Sequence, residues 1–344
     1  MKLVVVGGGS AGHVLPAVPI IEKYVARGDE VLFVGTSSGL EEALISELPI
    51  KFHAIASGKL RRYFSWQNFA DFFRVLIGCC QAVLLLRRIG PDVLFSKGGF
   101  VSLPVVFGAW VNRIPVVAHE SDLSPGLANR LARRFVRTYC VSFAETQIPG
   151  HSVIHTGTPI RSSILEGNAE RGRQTFGLSD RPLLLVTGGS LGADHLNSVV
   201  VEAVALLTQE YEVVHVVGSG KLSNLRHPGY RQLEYVDQGW GDLLAAASVV
   251  VSRAGANALF ELLALNKRAV LVPLSRAASR GDQLENVQLA ETRQNMAVIR
   301  EEDLHSESLI AAISQVLDAE AEADYALPDA VAAIVAEIDA VVRS

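Results

Sequence analysis

The sequence predicts an α/β protein made of two Rossmann-like, doubly wound parallel-sheet domains. Three observations carry that expectation. Short β-branched runs alternate with longer helical patterns, the alternation restarts past the middle of the chain, and both starts run an apolar strand into a glycine-rich turn. In the first half Leu3–Val6, Glu30–Val34, Val93–Ser96 and Val116–His119 read as strands, followed by helical patterns over Ala17–Arg27, Leu40–Glu47, Leu103–Val111 and Gly126–Arg134. In the second half Leu183–Thr187, Glu212–Val217, Gln232–Tyr235, Val249–Ser252 and Ala269–Val272 read as strands, each leading into a loop or helix. The likeness of VVVGGGSAGH to LLVTGGSLGA makes the two domains similar to each other. Thr158–Pro159 disfavours helix, so the linker is expected near Gly157–Arg161. Apolar residues at helical spacing over Ala326–Val342 predict a closing amphipathic helix.

A chain of 344 residues with 49% hydrophobic and 19% charged residues has material for two cores, which excludes general disorder. Three cysteines, Cys79, Cys80 and Cys140, form neither a disulfide framework nor a CxxC metal motif. The apolar run before the first glycines is too short for a signal peptide. The stretches Val75–Leu86 and Val101–Val111 are too short to span a bilayer. A soluble body in a reducing, cytoplasmic compartment is the expectation. Residues 1–155 hold 16 Lys and Arg against 11 Asp and Glu, while the remainder holds 15 against 25. The net charge of −5 therefore covers a basic half and an acidic half, and the basic half is the one suited to an anionic surface or ligand. The acidic total and the lack of a recognition motif speak against nucleic acid.

Gly7, Gly9 and Gly12 satisfy GxGxxG after a strand and before a helix, the outline of a dinucleotide site. Such a site needs a carboxylate at the end of the second strand to hold a ribose, and Val31–Val34 ends in Gly35-Thr36-Ser37, so a nicotinamide enzyme is disfavoured. His13 stands where this turn becomes helix, at the carboxyl end of the first strand, a place suited to chemistry. The second turn, Gly188-Gly189-Ser190-Leu191-Gly192, suits an anion held by backbone amides and a helix N-terminus. A third, Ser252 to Asn257, leads into a helix carrying Glu261, whose carboxylate can accept from both hydroxyls of a ribose. Motifs for metal ligation (HExxH, CxxC, DxD) are missing, so neither a metal nor another cofactor is expected; helix N-termini and arginine would take the charge of a departing diphosphate.

These turns and the segments between them resemble the MurG family, the UDP-N-acetylglucosamine transferases that complete lipid II. The resemblance runs in order along nearly the whole chain: GGGSAGHVLPA (7–17), SKGGFVSLP (96–104), HESDLSPGLANR (119–130), GTPIR (157–161), GGSLGADHLN (188–197), SRAGANALFE (252–261) and SRGDQLEN (279–286). It implies a GT-B fold with a deep cleft. The amino-terminal, acceptor-facing domain would span residues 1–158 plus a returning helix at 327–344, and the UDP-GlcNAc-binding domain residues 159–326. By the same resemblance the donor would meet Ser10, Ala11, Gly12, Arg161, Ser190, Val236, Gly255, Ala256, Asn257, Ala258, Leu259, Phe260, Glu261 and Gln283. Val236 would offer its backbone to uracil from a strand end, and Arg161 would add charge-assisted bonds to phosphate. HESD stands where HEQN is commoner and Phe100 replaces a tyrosine, so a phenol there is not essential; HESD and SRGDQ resemble Gram-positive versions.

The resemblance also implies a reaction, an inverting transfer from UDP-GlcNAc to the 4-hydroxyl of N-acetylmuramic acid in undecaprenyl-diphosphoryl-MurNAc-pentapeptide (lipid I). His13 is the expected base, with Glu120 and Asp122 as rivals. Gly98, Gly99, Phe100 and the His119–Asn129 loop, including Asn129, are expected to hold the acceptor head group. A polyprenyl acceptor lies in the bilayer, so the protein would sit peripherally on the cytoplasmic face of the cell membrane. Arg61, Arg62 and Trp66, continued by Phe69, Phe72 and Phe73, mix cations with aromatics as an interfacial segment does. Two alternatives are a UDP-GlcNAc 2-epimerase of the same architecture, which needs no lipid, and a catalytically inactive nucleotide-sugar-binding protein.

Overall fold

The computed structural model describes residues 1–37, 39–58, 66–189, 192–236, 238–276, 279, 281–320 and 323–343, the side chains of 66–70 excepted. The chain divides into two compact units, Met1–Arg161 with Leu327–Ser344, and Ser162–Ala326. In the first unit the order is β1 (Lys2–Val6), α1 (Val18–Ala26), β2 (Glu30–Thr36), α2 (Glu41–Leu44), β3 (Lys51–Ile55) and α3 (Trp66–Ile89). It continues with β4 (Val93–Ser96), α4 (Ser102–Val111), β5 (Val116–Glu120), α5 (Leu127–Ala132), β6 (Thr138–Val141) and β7 (Val153–His155). The second unit holds α6 (Ser162–Leu165), α7 (Ala169–Phe176), β8 (Leu183–Thr187), α8 (Asp194–Glu210), β9 (Glu212–Val216), β10 (Tyr230–Leu233) and α9 (Trp240–Ala246). After these come β11 (Val249–Arg253), α10 (Ala256–Ala264), β12 (Ala269–Val272), α11 (Asp282–Asn286), β13 (Met296–Val298) and α12 (Ser306–Asp318). The chain then re-enters the first unit as α13 (Ala330–Arg343).

Both sheets are wholly parallel, ordered β3-β2-β1-β4-β5-β6-β7 and β10-β9-β8-β11-β12-β13. Each order reverses direction beside its first strand, between β1 and β4 in one unit and between β8 and β11 in the other. The carboxyl ends of those strands are where an open α/β sheet offers a crevice. Register aligns the ends that matter, Val6 with Ser96 and Thr187 with Ser252.

Strand residues alternate between two faces, so each helical layer takes every second side chain. Val4, Val6, Leu32 and Val34 bury with residues of α3 and α4, while Leu3, Val5, Val31 and Phe33 bury with α1 and α13. In the second unit Leu184, Val186, Val249 and Val251 pack with α8 and α12. The expected elements shift in detail. The helix read over Leu40–Glu47 is only Glu41–Leu44, because Pro49 follows closely and the chain must turn into β3. The strand read over Gln232–Tyr235 is Tyr230–Leu233, registered on β9 from Val213 to Val216, so Val236 lies beyond the strand end rather than at it. The closing helix begins at Ala330, after Pro328.

Candidate active site

At the β1/β4 switch point two glycine turns pack on one another without side chains between them. Gly99 has φ +86° and a Cβ there would stand 1.9 Å from the Gly8 carbonyl oxygen. Gly9, at φ +91°, lies under the Phe100 ring, 2.4 Å from where its Cβ would be. The ring therefore seals the first turn, a packing role that needs no phenol. The carboxylate missing from the end of β2 is supplied from α2 and turned onto the protein itself. Glu41 is fully buried; it accepts the Gly9 amide on Oε1 at 2.9 Å and the Thr36 hydroxyl on Oε2 at 3.0 Å. An internal anion thus takes the amide that a nucleotide phosphate would seek. His13, half-buried on the same turn, has Nδ1 2.8 Å from Ser10 Oγ, and Gly98 and Asn129 lie close by.

The end of β5 carries a buried polar network. Lys97, 1% exposed, donates from Nζ to His119 Nδ1 at 2.8 Å and to Ser121 Oγ. His119 in turn donates from Nε2 to the Gly157 carbonyl at 2.9 Å. Burial first, and the Lys97 charge second, hold this imidazole well below its ordinary range, so it stays neutral and its tautomer is fixed by its two partners. Burial pushes Lys97 down to about 8, against the pull of Glu120 and Asp122. Glu120 is occupied: it accepts the amides of Asp122 (3.1 Å) and Gly126 (2.8 Å) and the Asn129 side chain (2.9 Å). It therefore braces the loop that starts α5, and Asn129 spends its amide on the same brace.

In the second unit the candidate donor residues 255–261 follow β11 at the β8/β11 switch point, whereas Val236 follows β10 and Gln283 lies on α11, beyond β12. Glu261 on α10 accepts the Trp240 indole N–H on Oε2 at 3.4 Å, which sets the carboxylate on the helix face. Gly255 is the N-cap of α10, with open space where a Cβ would be. The side chains of Ala256, Leu259 and Phe260 are buried, and Asn257 and Ala258 are half-exposed. Gln283 accepts the Leu274 amide on Oε1 at 3.0 Å, which orients its side-chain amide. The turn after β8 is partly closed on itself, Gly189 N–H donating to Thr187 Oγ1 and Gly192 N–H to the Gly189 carbonyl. Ser190 lies outside the described residues. Arg253, at the end of β11, pairs with Glu301, which also accepts from His195 on the first turn of α8. Burial favours a neutral Glu301, but the bonds and charge of Arg253 and His195 outweigh it and hold the carboxyl below its ordinary range. Arg161 ends the first unit near Glu22 of α1.

Arg61 and Arg62 lie outside the described residues, as do the side chains of Trp66 and Phe69. An apolar surface is nonetheless present on α3, α4 and α5. Phe72, Phe73, Leu76, Ile77 and Leu84 are exposed along α3, which packs on α4. Trp110, 52% exposed, packs at a tilt against the rings of Phe135 (5.0 Å) and Phe107 (5.8 Å), and Leu131 is exposed on the neighbouring helix. Arg74, Arg87 and Arg88 are exposed on α3, Arg130 on α5 and Arg134 in the turn that follows it. The Trp110 cluster joins α4 to the segment after α5, so no single sequence window displayed it. No described helix is long and apolar enough to cross a membrane, and no described group of His, Cys, Asp and Glu is placed to hold a metal.

Comparison with known proteins gives the class. Residues 3–141 match the glycosyltransferase family 28 N-terminal domain and residues 183–339 the family 28 C-terminal domain. A crystal structure of Acinetobacter baumannii MurG superposes with TM-score 0.71 at 21% identity, covering 98% of this chain and 99% of that one. A UDP-GlcNAc 2-epimerase from Methanocaldococcus jannaschii, solved with UDP-GlcNAc and UDP, gives 0.69 at 16%, covering 99% and 100%. Those two likenesses establish the fold. The protein is a GT-B glycosyltransferase of family 28. Sequence narrows the class: the UDP-N-acetylglucosamine–N-acetylmuramyl-(pentapeptide) pyrophosphoryl-undecaprenol N-acetylglucosamine transferase of Legionella pneumophila (strain Paris) is 47% identical over 329 residues, 94% of this chain and 91% of its own. The chain belongs to that transferase family, MurG.

Proposed function

We propose that the protein transfers GlcNAc from UDP-GlcNAc to the 4-hydroxyl of MurNAc in undecaprenyl-diphosphoryl-MurNAc-pentapeptide, with inversion, to form lipid II for peptidoglycan. The observation that carries this reading is 47% identity over nearly the whole chain to a transferase of that name. The local chemistry supports it. Glu261, oriented by Trp240, suits the ribose diol, and the open N-cap at Gly255 leaves backbone room for the nucleotide. Gln283, Arg161, Ser190, Val236 and residues 255–260 complete the proposed donor contacts, with Ser10, Ala11 and Gly12 from the first turn.

The acceptor oxygen attacks C1 from the face opposite UDP. As that bond forms, the C1–O bond to the diphosphate breaks, and the hydroxyl proton passes to a base. His13 is the group we assign. With Nδ1–H donated to Ser10 Oγ, its Nε2 holds the lone pair that takes the proton. Glu120 is less suited, because its oxygens already accept three hydrogen bonds; we assign it to bracing the acceptor loop with Asn129. Asp122 is held as the rival base. The leaving UDP carries negative charge that Arg161 and backbone amides take up.

The exposed rings and aliphatics of α3, α4 and α5, bordered by arginines, are the surface we assign to the cytoplasmic face of the membrane. The decisive assay is transfer of radiolabelled sugar from UDP-GlcNAc to a lipid I analogue, run with Mg²⁺ and with chelator. Label in a lipid-linked disaccharide is the expected product. Free epimerised sugar with no lipid-linked product would overturn the reading in favour of a 2-epimerase.

A further inference from the structure

Burying an ammonium costs several kcal/mol unless something in the fold answers it. Lys97 is such a group, 1% exposed at the carboxyl end of β4, directly before the Gly98–Gly99 turn. Its stem lies against the first glycine turn, 3.3 Å from where a Gly7 Cβ would stand, and its own amide donates to Val6 at the end of β1. The ammonium reaches across to β5, where it donates to His119 Nδ1 and to Ser121 Oγ. His119 passes the constraint on to the Gly157 carbonyl, just before the chain leaves this unit. The ammonium therefore ties the end of β4 to the end of β5, to the loop between β5 and α5 and, through His119, to the segment after β7. That loop carries Glu120 and Asp122, two carboxylates on alternate residues, and Lys97 is the cation both of them feel.

We propose that Lys97 is a positioning residue for acceptor use: from beneath the two glycine turns its ammonium fixes His119 and Ser121 and so sets the 119–126 loop beside His13. An uncharged side chain of similar volume would fill the space but would leave the imidazole unanchored and remove a positive charge that Glu120 and Asp122 act on. The charged and titratable groups facing Lys97 are Glu120 and Asp122 from the loop, His119 from β5 and Cys140 from β6, which itself faces Glu337 of α13. Burial above all pushes the Cys140 thiol up to about 12, and His119 is already neutral, so Lys97 is the member that changes charge near pH 8.

This inference rests on the proposed transfer reaction, and its test separates the two. Steady-state kinetics are measured for wild type, Lys97→Met and Lys97→Arg with UDP-GlcNAc and a soluble lipid I analogue between pH 6 and 10. Lys97→Met is expected to lose about tenfold or more in kcat/KM for the acceptor, with the KM for UDP-GlcNAc within about twofold of wild type. Wild-type acceptor use is expected to fall above about pH 8, and Lys97→Arg, which keeps its proton, to carry that fall upward by about one pH unit or more. A merely structural lysine would change both substrates alike and leave the pH profile unmoved; either result overturns the proposal. A second measurement needs no variant to be active. In wild type labelled with ¹⁵N-histidine, and assigned with His119→Gln, the His119 Nδ1 signal should report an unprotonated acceptor nitrogen that shifts as pH passes about 8. A signal that stays still overturns the inference even if lipid-linked product forms. If wild type makes no lipid-linked product while the signal moves, it is the transfer reading that fails.

Discussion

Removing the Glu41 carboxylate should loosen the first glycine turn, and the size of the effect follows from its two bonds. Oε1 takes the Gly9 amide, in a part-buried bond, and Oε2 the buried Thr36 hydroxyl. Hydrogen bonds to a charged acceptor contribute about 1.5–3 kcal/mol each, and a buried donor left unpaired costs about 1–3 kcal/mol. Glu41→Ala strands the buried Thr36 hydroxyl, leaves the Gly9 amide to water and removes the cost of burying the carboxylate, so the net loss is about 1–3 kcal/mol. Glu41→Gln keeps the shape: its carbonyl oxygen still accepts from Gly9 and its NH₂ can donate to Thr36, so only the charge assistance is lost, about 1 kcal/mol. Urea denaturation of the three proteins should rank them in that order. Transfer kinetics supply the second readout. Ser10 and His13 hang from this turn, so Glu41→Ala should lower kcat by about tenfold or more, and because the proposed donor contacts Ser10, Ala11 and Gly12 hang from it too, the KM for UDP-GlcNAc should rise. An alanine variant with the wild-type midpoint and wild-type kcat would refute the reasoning, because the turn would then be held by something else.

Other perturbations have equally definite outcomes. His13→Ala should cut turnover by about 10²–10⁴ with UDP-GlcNAc affinity unchanged by calorimetry; near-normal turnover would move the base role to Asp122. Trp110→Glu should weaken sedimentation with anionic vesicles by about tenfold while leaving activity on a short-chain, soluble acceptor intact, and equal sedimentation would remove α4 from the membrane face. Lys97 also links stability to pH with a sign opposite to its effect on activity. Its pKa is lowered from 10.5 to about 8 in the fold, so below pH 8 both states hold the proton and the burial cost is fully felt. Between those values the unfolded chain binds more protons and stability rises with pH. Wild type should gain about 3 kcal/mol on Lys97→Met across that range, read as the difference in denaturation midpoints; a flat difference would mean the ammonium is solvated.

The strands that build both switch points were legible because parallel strands buried on both faces are continuous apolar runs, and Leu183–Thr187 and Ala269–Val272 stand where the pattern put them. The peripheral strands β3, β6 and β7 were not read: Lys51–Ile55 carries lysine and histidine, and Val153–His155 is three residues long. Glycine turns announce themselves in one dimension, since only glycine tolerates a φ near +90° under a ring or a carbonyl. What stayed hidden were side chains whose partners lie far along the chain. Glu41 sits in an acidic pair that reads as a solvated helix start, yet it is the carboxylate whose absence from the end of β2 was noted. Lys97 reads as part of a motif, and only the β4–β5 register shows that its ammonium meets His119. The Trp110 cluster is assembled from α4 and the segment after α5, and no periodicity within either helix could reveal it.

The last helix belongs to the first core. Ile334, Val335, Ile338 and Val341 fill the layer shared with Leu3, Val5 and Ile20, and Asp339 accepts from Tyr24 and pairs with Arg27. On the ribosome, then, the half that emerges earliest is the half finished last. It must wait, one flank uncovered, through translation of the entire second unit and until the terminal segment clears the exit tunnel. A chain cut before Ala330 should therefore combine a folded second unit with a protease-sensitive first one, so that loss of the last helix unravels the half farthest from it in sequence.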